Sequence, residues 1–193
     1  MKKTVYIIPG FGEKYTKYGR YAKVAKLFKA RDITPVQVKI DWEKIKPKRF
    51  SEYVEQFSRQ YKRPKDTEVF VLGFSFGATI AFLSAHKTKP KALILCSLSP
   101  YFKEDLKHFK PKWLKWWRDN FIDSDYSSDE IASNISSQVY IIVGSLEQKE
   151  CRIRARGVKN KLSRAILKTS KGAEHNIGQK EYLKTLRSVV DLL

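Results

Sequence analysis

The sequence predicts an α/β fold, a three-layer sandwich in which a mostly parallel sheet of about six strands lies between two layers of helices. Short, continuous apolar runs rich in β-branched and aromatic residues are typical of strands that are buried on both faces. These runs alternate with helix-length stretches whose apolar residues recur every three or four positions. Such alternation favours parallel β-α-β units and a sheet covered on both faces.

The predicted strands are, in chain order, Thr4–Ile8, Pro35–Ile40, Glu68–Leu72, Ala92–Cys96, Val139–Val143 and Arg164–Lys168, with weaker signals in the second and the last. The predicted helices are Tyr18–Ala30, Phe50–Tyr61, Phe76–His86, Glu150–Leu162 and Gln179–Leu193. The segment 101–136 carries no strand signal and contains Trp113, Trp116 and Trp117. We therefore expect one α/β domain over residues 1–193 with this segment inserted as a small helical cap.

Composition limits the class of protein. Hydrophobic residues make up 42% and charged residues 31% of the 193 residues, as in folded globular domains. No apolar run reaches the roughly 20 residues that span a bilayer. The first apolar stretch ends at Pro9 and is too short for a secretory signal, so we expect a cytoplasmic protein. Cys96 and Cys151 are too few for a disulfide framework or a four-cysteine zinc site and are expected to be structural thiols.

The chain is strongly basic, with a formal net charge of +19. Such a charge attracts anionic partners, including nucleic acid, acidic lipids and phosphorylated or carboxylated substrates. The lysines and arginines are spread along the chain, which is more typical of a solvated surface than of a specific nucleic-acid site. A rival hypothesis is a basic protein that binds nucleic acid or an anionic membrane, which predicts one continuous Lys/Arg face and steeply salt-dependent binding.

The strongest chemical signal is the segment Gly73-Phe74-Ser75-Phe76-Gly77, which has the pattern G-x-S-x-G. It follows a predicted buried strand and opens a small-residue helix. A serine nucleophile projects from such a sharp strand-to-helix turn, and glycines on either side allow the strand and helix to approach closely. Alternatively, Ser75 is a helix cap in an ordinary β-α turn.

A serine nucleophile needs a base and a group that orients the base. His175 follows the last predicted strand, where it can meet Ser75 at the same sheet edge. His86 lies about three turns along the helix after Ser75, too far to act, and His108 lies in the inserted segment.

For the orienting acid, Glu147 is the nearest carboxylate to the end of the fifth predicted strand, and Glu150 is the alternative. Asp123 and Asp125 lie in the inserted segment and are less favoured. The fourth predicted strand is followed by Ser97-Leu98-Ser99-Pro100, which contains no acid.

The remaining requirement is a pair of backbone N–H groups that bind a developing oxyanion. Phe76 supplies one, as the residue after the proposed nucleophile. The first strand runs into Pro9-Gly10-Phe11-Gly12, and Phe11 is the expected second donor, with Gly12 as an alternative. Aromatic residues in these segments and in the insertion suggest an apolar pocket for an acyl group under a flap; alternatively, they pack the insertion against the sheet.

Along the chain the loop after the first strand comes first, followed by Ser75, Glu147 and His175. Motifs in this order resemble those of a minimal member of the α/β-hydrolase superfamily. The resemblance covers nearly the whole chain, although glutamate stands where aspartate is commoner. It implies a serine esterase or thioesterase that works through an acyl-enzyme, with a Ser75-His175-Glu147 triad and no metal or other cofactor. The expected partner is a small-molecule ester or thioester, anionic or bearing an acyl chain. The rival within the same fold is a non-catalytic binding protein, for which an occluded Ser75 would be evidence.

Overall fold

The computed structural model describes residues 1–43, 49–109, 111–120 and 126–193. Within them, a six-stranded sheet has the order β2-β1-β3-β4-β5-β6, and every adjacent pair is parallel. The strands are β1 Lys2–Ile8, β2 Ile33–Gln37, β3 Thr67–Phe74, β4 Ala92–Cys96, β5 Gln138–Gly144 and β6 Ile166–Ser170. The prediction of an α/β sandwich with a parallel sheet of about six strands is confirmed.

Helices cover both faces of the sheet. The described helices are α1 Arg20–Lys29, α2 Phe50–Gln60, α3 Phe76–Thr88, α4 Pro111–Asn120, α5 Ser128–Ser133, α6 Lys149–Lys161 and α7 Lys180–Val190. Between β4 and β5, the segment predicted as an insertion contains α4, α5 and a 3-10 helix over Lys103–His108. None of the described helices is both long enough and apolar enough to cross a membrane.

Side chains that alternate along each central strand enter two separate cores. In β1, Tyr6 and Ile8 join the core beneath α2, α3 and α6, whereas Val5 and Ile7 join the core beneath α1 and α7. Both sets are buried, which explains why the central strands read as continuous apolar runs. All strand carboxyl ends lie at one edge of the sheet, and the loops that follow them gather there.

The second strand differs from the prediction of Pro35–Ile40, because ladder pairing extends only over Ile33–Gln37. The Val38 N–H still donates to the Ile7 carbonyl of β1, at 3.0 Å. After Val38 the backbone is bonded by α2 instead: the N–H groups of Lys39 and Asp41 donate to the side-chain carbonyls of Gln60 and Gln56, at 2.9 Å each. Alternate apolar side chains in this segment, including Val38 and Ile40, are still buried. The alternation was therefore a true signal of burial, but not of sheet pairing.

The last strand begins two residues later than predicted, at Ile166 rather than Arg164. The chain first completes a turn after α6, in which the Ala165 N–H donates to the Leu162 carbonyl at 3.0 Å. Both side chains are buried against the α6 face of the sheet, so their apolar character reflects this turn. Pairing with β5 then runs from Ile166 to Ser170.

Candidate active site

Ser75 lies at a strained turn between β3 and α3. Its φ is +55° and its ψ is −122°, a conformation that L-residues rarely adopt. The Ser75 N–H donates to the Cys96 carbonyl at 2.9 Å, and the Ser75 carbonyl accepts from the Ala78 N–H at 3.0 Å. Bonds to the neighbouring strand and to the first helical turn thus hold the strained residue. The Ser75 side chain makes no cap bond to α3, so the alternative of a simple helix cap loses its support.

The glycines of the motif permit this turn. A Cβ added to Gly73 would collide with the Gly77 carbonyl, and a Cβ added to Gly77 would collide with the carbonyls of Ile8 and Pro9. These are contacts with backbone, which cannot move aside as the end of a flexible side chain can. The close approach of strand, helix and the loop after β1 therefore requires glycine at both positions.

The structure brings Ser75, His175 and Glu147 together in a chain of hydrogen bonds. His175 Nε2 lies 3.0 Å from Ser75 Oγ, and His175 Nδ1 lies 2.8 Å from Glu147 Oε2. The His175 side chain is 40% exposed, whereas that of Glu147 is fully buried. A histidine open to solvent on one side and bound to a buried carboxylate on the other can move a proton between Ser75 Oγ and a bound molecule.

The other candidates lie elsewhere. Glu150 is in the first turn of α6, while Glu147 occupies the position against His175. His86 is on α3 and contacts its own helix, with Nδ1 3.0 Å from the Leu83 carbonyl, and His108 is exposed at the end of the 3-10 helix. Asp123 and Asp125 lie outside the described residues.

Ser97 is a site residue that the sequence reasoning missed. It is completely buried, and its hydroxyl donates to Glu147 Oε1 at 2.7 Å. The Gly144 N–H donates to the same oxygen at 2.6 Å. Ser97 Oγ also lies 2.8 Å from the Tyr182 hydroxyl on α7. These contacts fix the carboxylate, and the only hint in the sequence was that Ser97 directly follows β4, on the same edge as the acid loop.

A second serine, Ser99, lies beside the proposed nucleophile, with 3.1 Å between its Oγ and that of Ser75. Ser99 is nearly buried, at 5% exposure. In the sequence, the loop after β4 was notable only because it contains no acid. In the structure, two serine hydroxyls of this loop face two different members of the site: that of Ser97 bonds to Glu147, and that of Ser99 lies beside that of Ser75.

The loop after β1 lies against the nucleophile turn. A Cβ built on Gly10 would be 3.3 Å from the Ser75 Cβ, and the rings of Phe11 and Phe76 are 5.5 Å apart in an edge-to-face arrangement. Tyr21 braces this loop from α1, because its hydroxyl accepts from the Gly10 N–H at 2.7 Å. The loop that carries Phe11 thus lies beside Ser75, and Gly12 in this loop has a φ of +70°.

Aromatic rings gather around this loop and the start of α3. Phe76 packs edge-to-face on Phe50 at 5.3 Å, and Phe11 packs on Trp42 at 5.4 Å. Phe74 points to the opposite face of the sheet, where it is buried 4.9 Å from the His175 ring. The side chains of Trp113, Trp116 and Trp117 lie outside the described part of the structure, so the predicted flap stays a prediction.

Metal-ligand chemistry is limited at this site. In the described part of the chain, Glu147, Cys151 and His175 have ligand atoms within 4.8 Å of one another. Burial and the nearby Glu147 charge raise the pKa of the Cys151 thiol to about 12, which opposes the thiolate that a metal would bind. Glu147 and His175 already bond to each other. The donor set fits a hydrogen-bonded acid-histidine pair better than a metal centre. Both cysteines are free and buried.

Comparisons with known proteins agree with the fold. No protein-family model and no curated protein sequence matches the chain. Among solved structures, the chain is similar to Est1E from Butyrivibrio proteoclasticus, with 13% identity and a TM-score of 0.74 over 98% of this chain and 86% of that one. It is also similar to the esterase Pf2001 of Pyrococcus furiosus, with 14% identity and a TM-score of 0.67 over 99% of this chain and 79% of that one.

A third similar structure is the thioesterase domain from the curacin biosynthetic pathway, with 15% identity and a TM-score of 0.67 over 99% of this chain and 90% of that one. At this level of identity the likeness concerns the fold. The chain has the α/β-hydrolase fold, which confirms the fold that the motif order predicted.

Proposed function

We propose that this protein is a serine hydrolase that cleaves an ester or thioester through an acyl-enzyme intermediate. One observation carries the proposal: the continuous hydrogen-bonded chain from Ser75 Oγ through His175 to Glu147, with distances of 3.0 and 2.8 Å. Fold alone does not define activity, but a nucleophile, base and acid that hydrogen bonds join at one sheet edge support acyl transfer.

In the first step, Ser75 Oγ attacks the carbonyl carbon while its proton passes to His175 Nε2. Glu147 accepts the Nδ1–H hydrogen bond, which selects the tautomer with a free Nε2 and stabilises the imidazolium that forms. The C–O or C–S bond then breaks, and the alcohol or thiol leaves with the proton from His175. Water, deprotonated by His175, attacks the acyl-enzyme and releases a carboxylic acid and free Ser75.

The tetrahedral intermediates carry a negative oxygen. We propose that the backbone N–H groups of Phe11 and Phe76 bind it, because Phe76 begins α3 and the Phe11 loop lies against Ser75. The helix N-terminus adds its positive partial charge at the same place. In other serine hydrolases, loss of one such donor costs a factor of about 10²–10³ in turnover.

The substrate class follows from the surroundings of the site. Pf2001 is named an esterase and the curacin domain a thioesterase, so these names support an ester or a thioester as the bond that is cleaved. Exposed apolar side chains of Phe11 and Leu146 flank the loops that carry the site, at 37% and 63% exposure. We therefore propose a small-molecule substrate with an apolar acyl group. Because His175 is 40% exposed, the site is open, which argues against the non-catalytic alternative.

The test of the nucleophile is labelling by a fluorophosphonate probe, which reacts with activated serines. We expect wild-type protein to be labelled at Ser75 and Ser75→Ala to lose the label. Ser99→Ala is the matched control, because it removes the neighbouring hydroxyl, 3.1 Å from that of Ser75. This variant should still be labelled at Ser75. Folded wild-type protein that takes no label, or a label on Ser99, would refute the assignment.

The acid is tested by a second matched pair. Glu147→Gln should lower kcat/KM on p-nitrophenyl esters by about 10²–10⁴, because the amide no longer orients the imidazole. Glu150→Gln removes the same charge three residues away and should change kcat/KM less than about threefold. Equal effects of the two substitutions would contradict the triad. The same esters, varied in acyl length, then measure the size of the acyl site.

A further inference from the structure

A cavity of about 360 Å³ lies between α6 and the edge strand β6. Its base is formed by Val143 and Leu167, which come from adjacent strands, and by Ile153 of α6. Val143 is buried, and Leu167 and Ile153 are half-buried, so this part of the lining is apolar. Two hydroxyls, those of Ser145 and Thr169, stand at its margin. The cavity does not include any member of the proposed triad.

Three cationic side chains line the same cavity: Lys149, Arg152 and Arg156. Their spacing of three and four residues places them on one face of α6. In the described part of the chain, none of the three forms an ion pair with a carboxylate. Like charges at this spacing repel each other, so an anion bound between them would relieve a cost that the free protein bears.

The arginine and serine at the cavity margin are held in place by the backbone. Arg152 donates from Nη1 to the Ser145 carbonyl at 2.6 Å, and Ser145 Oγ accepts from the Gly172 N–H at 2.8 Å. This arrangement leaves the hydrogen of the Ser145 hydroxyl to donate to a ligand. The site therefore combines positioned donors with the charges of Lys149 and Arg156, both of which are exposed.

We propose that this cavity binds a phosphoryl group carried by an organic molecule with an apolar portion. A phosphomonoester carries a charge of about −1.5 to −2 at neutral pH and three strong acceptor oxygens, which match three cations and two hydroxyls better than a carboxylate does. The apolar base of the cavity accommodates the group to which the phosphoryl is attached. Free inorganic phosphate has the same charge but has no apolar portion that could contact Val143, Leu167 and Ile153.

The site is separate from the proposed nucleophile. β5 and β6 are the second and third strands from β3 in the sheet order. At about 4.8 Å per strand, the cavity is displaced roughly 10–14 Å from Ser75. Phosphoryl binding here therefore stands whether or not Ser75 cleaves esters.

The experiment is isothermal titration of the Ser75→Ala protein, in which turnover plays no part, with phenyl phosphate and with inorganic phosphate. We expect saturable binding of one phenyl phosphate, weakened about tenfold or more in Arg156→Gln and in Lys149→Gln. Lys184→Gln is the matched control, because Lys184 is an exposed lysine of α7 on the opposite face of the sheet, and it should change the affinity less than twofold.

Each outcome decides the proposal. Absence of phenyl phosphate binding, or equal weakening by Arg156→Gln and Lys184→Gln, would overturn it, because the anion would then respond only to net charge. Equal affinities for inorganic phosphate and phenyl phosphate would overturn the claim that the cavity binds an apolar portion of the ligand. The cavity would then be a site for the free anion. Glutamine is a good helix former, so α6 should persist, and thermal unfolding of each variant checks this.

Discussion

Replacing Ser97 by alanine tests whether the acid of the proposed triad is positioned from outside the triad. The Ser97 hydroxyl donates to Glu147 Oε1 at 2.7 Å, in a region where both side chains are buried. Without it, the carboxylate keeps its bonds to the Gly144 N–H and to His175. The substitution removes one of three donors and makes no new contact, because alanine is smaller than serine.

The expected magnitude follows from this loss. A hydrogen bond to a charged group is worth about 1.5–3 kcal/mol, so the free energy of unfolding should fall by about 2 kcal/mol. If the less well oriented His175 raises the activation free energy by about 1.4 kcal/mol of this amount, kcat falls about tenfold. KM should change little, because Ser97 is completely buried and has no surface for a substrate.

Urea unfolding gives the stability, and steady-state kinetics on a p-nitrophenyl ester give kcat and KM. Ser97→Gly is the control for the backbone, because Ser97 has a φ of +51°, which glycine adopts without strain. Relative to Ser97→Ala, it should regain about 0.5–1 kcal/mol of stability and none of the lost kcat. A Ser97→Ala protein with full kcat, or a glycine variant that recovers kcat along with stability, refutes the positioning role.

Three further predictions concern the supports of the site. Arg154→Met leaves the Asp105 carboxylate without its ion-pair partner, in a place where both side chains are at most 4% exposed. The free energy of unfolding in urea should therefore fall by about 3–5 kcal/mol, and unchanged stability would contradict this. Burial acts to raise the pKa of Glu104, but hydrogen bonds, first from Ser127, outweigh it and lower that pKa to about 2. This stabilisation is present above pH 4.5, the ordinary pKa, and is lost as the pH falls toward 2. Because Glu104 is partly exposed, solvent screening reduces its effect. Glu104→Gln should lower the free energy of unfolding by about 1 kcal/mol at neutral pH and by progressively less as the pH falls through 2, as measured by chemical unfolding across pH. Tyr21→Phe leaves the buried Gly10 N–H without its acceptor. The free energy of unfolding should fall by about 1–3 kcal/mol and kcat should fall about tenfold. A loss of stability with full kcat would limit Tyr21 to a structural role.

Much of the fold and the core of the candidate site could be predicted from local patterns. The continuous apolar runs identify strands buried on both faces, since neither face needs polar residues. G-x-S-x-G between a strand and a helix locates the strained Ser75, because glycines are required where backbones touch. The loops carrying Glu147 and His175 follow parallel strands, and the carboxyl ends of such strands share one edge.

The tertiary structure decided which polar groups meet across that edge. Glu147 and Glu150 were both plausible acids in the sequence, and only the loop geometry puts one of them 2.8 Å from His175. Ser97 bonds to a carboxylate 50 residues away, a pairing with no periodic signal along the chain. The end of β2 was likewise set by glutamines of α2 that take over its backbone bonds.

For charge, likewise, the sequence determines the amount and the fold determines the location. The net charge of +19 is a property of composition and indicates anionic partners without locating them. Helical spacing puts Lys149, Arg152 and Arg156 on one face, but the apolar base beneath them comes from two strands that pair only in the folded sheet. Local patterns repeat within a few residues and can be read directly. Binding sites arise where distant segments meet, so their geometry exists only in the folded chain.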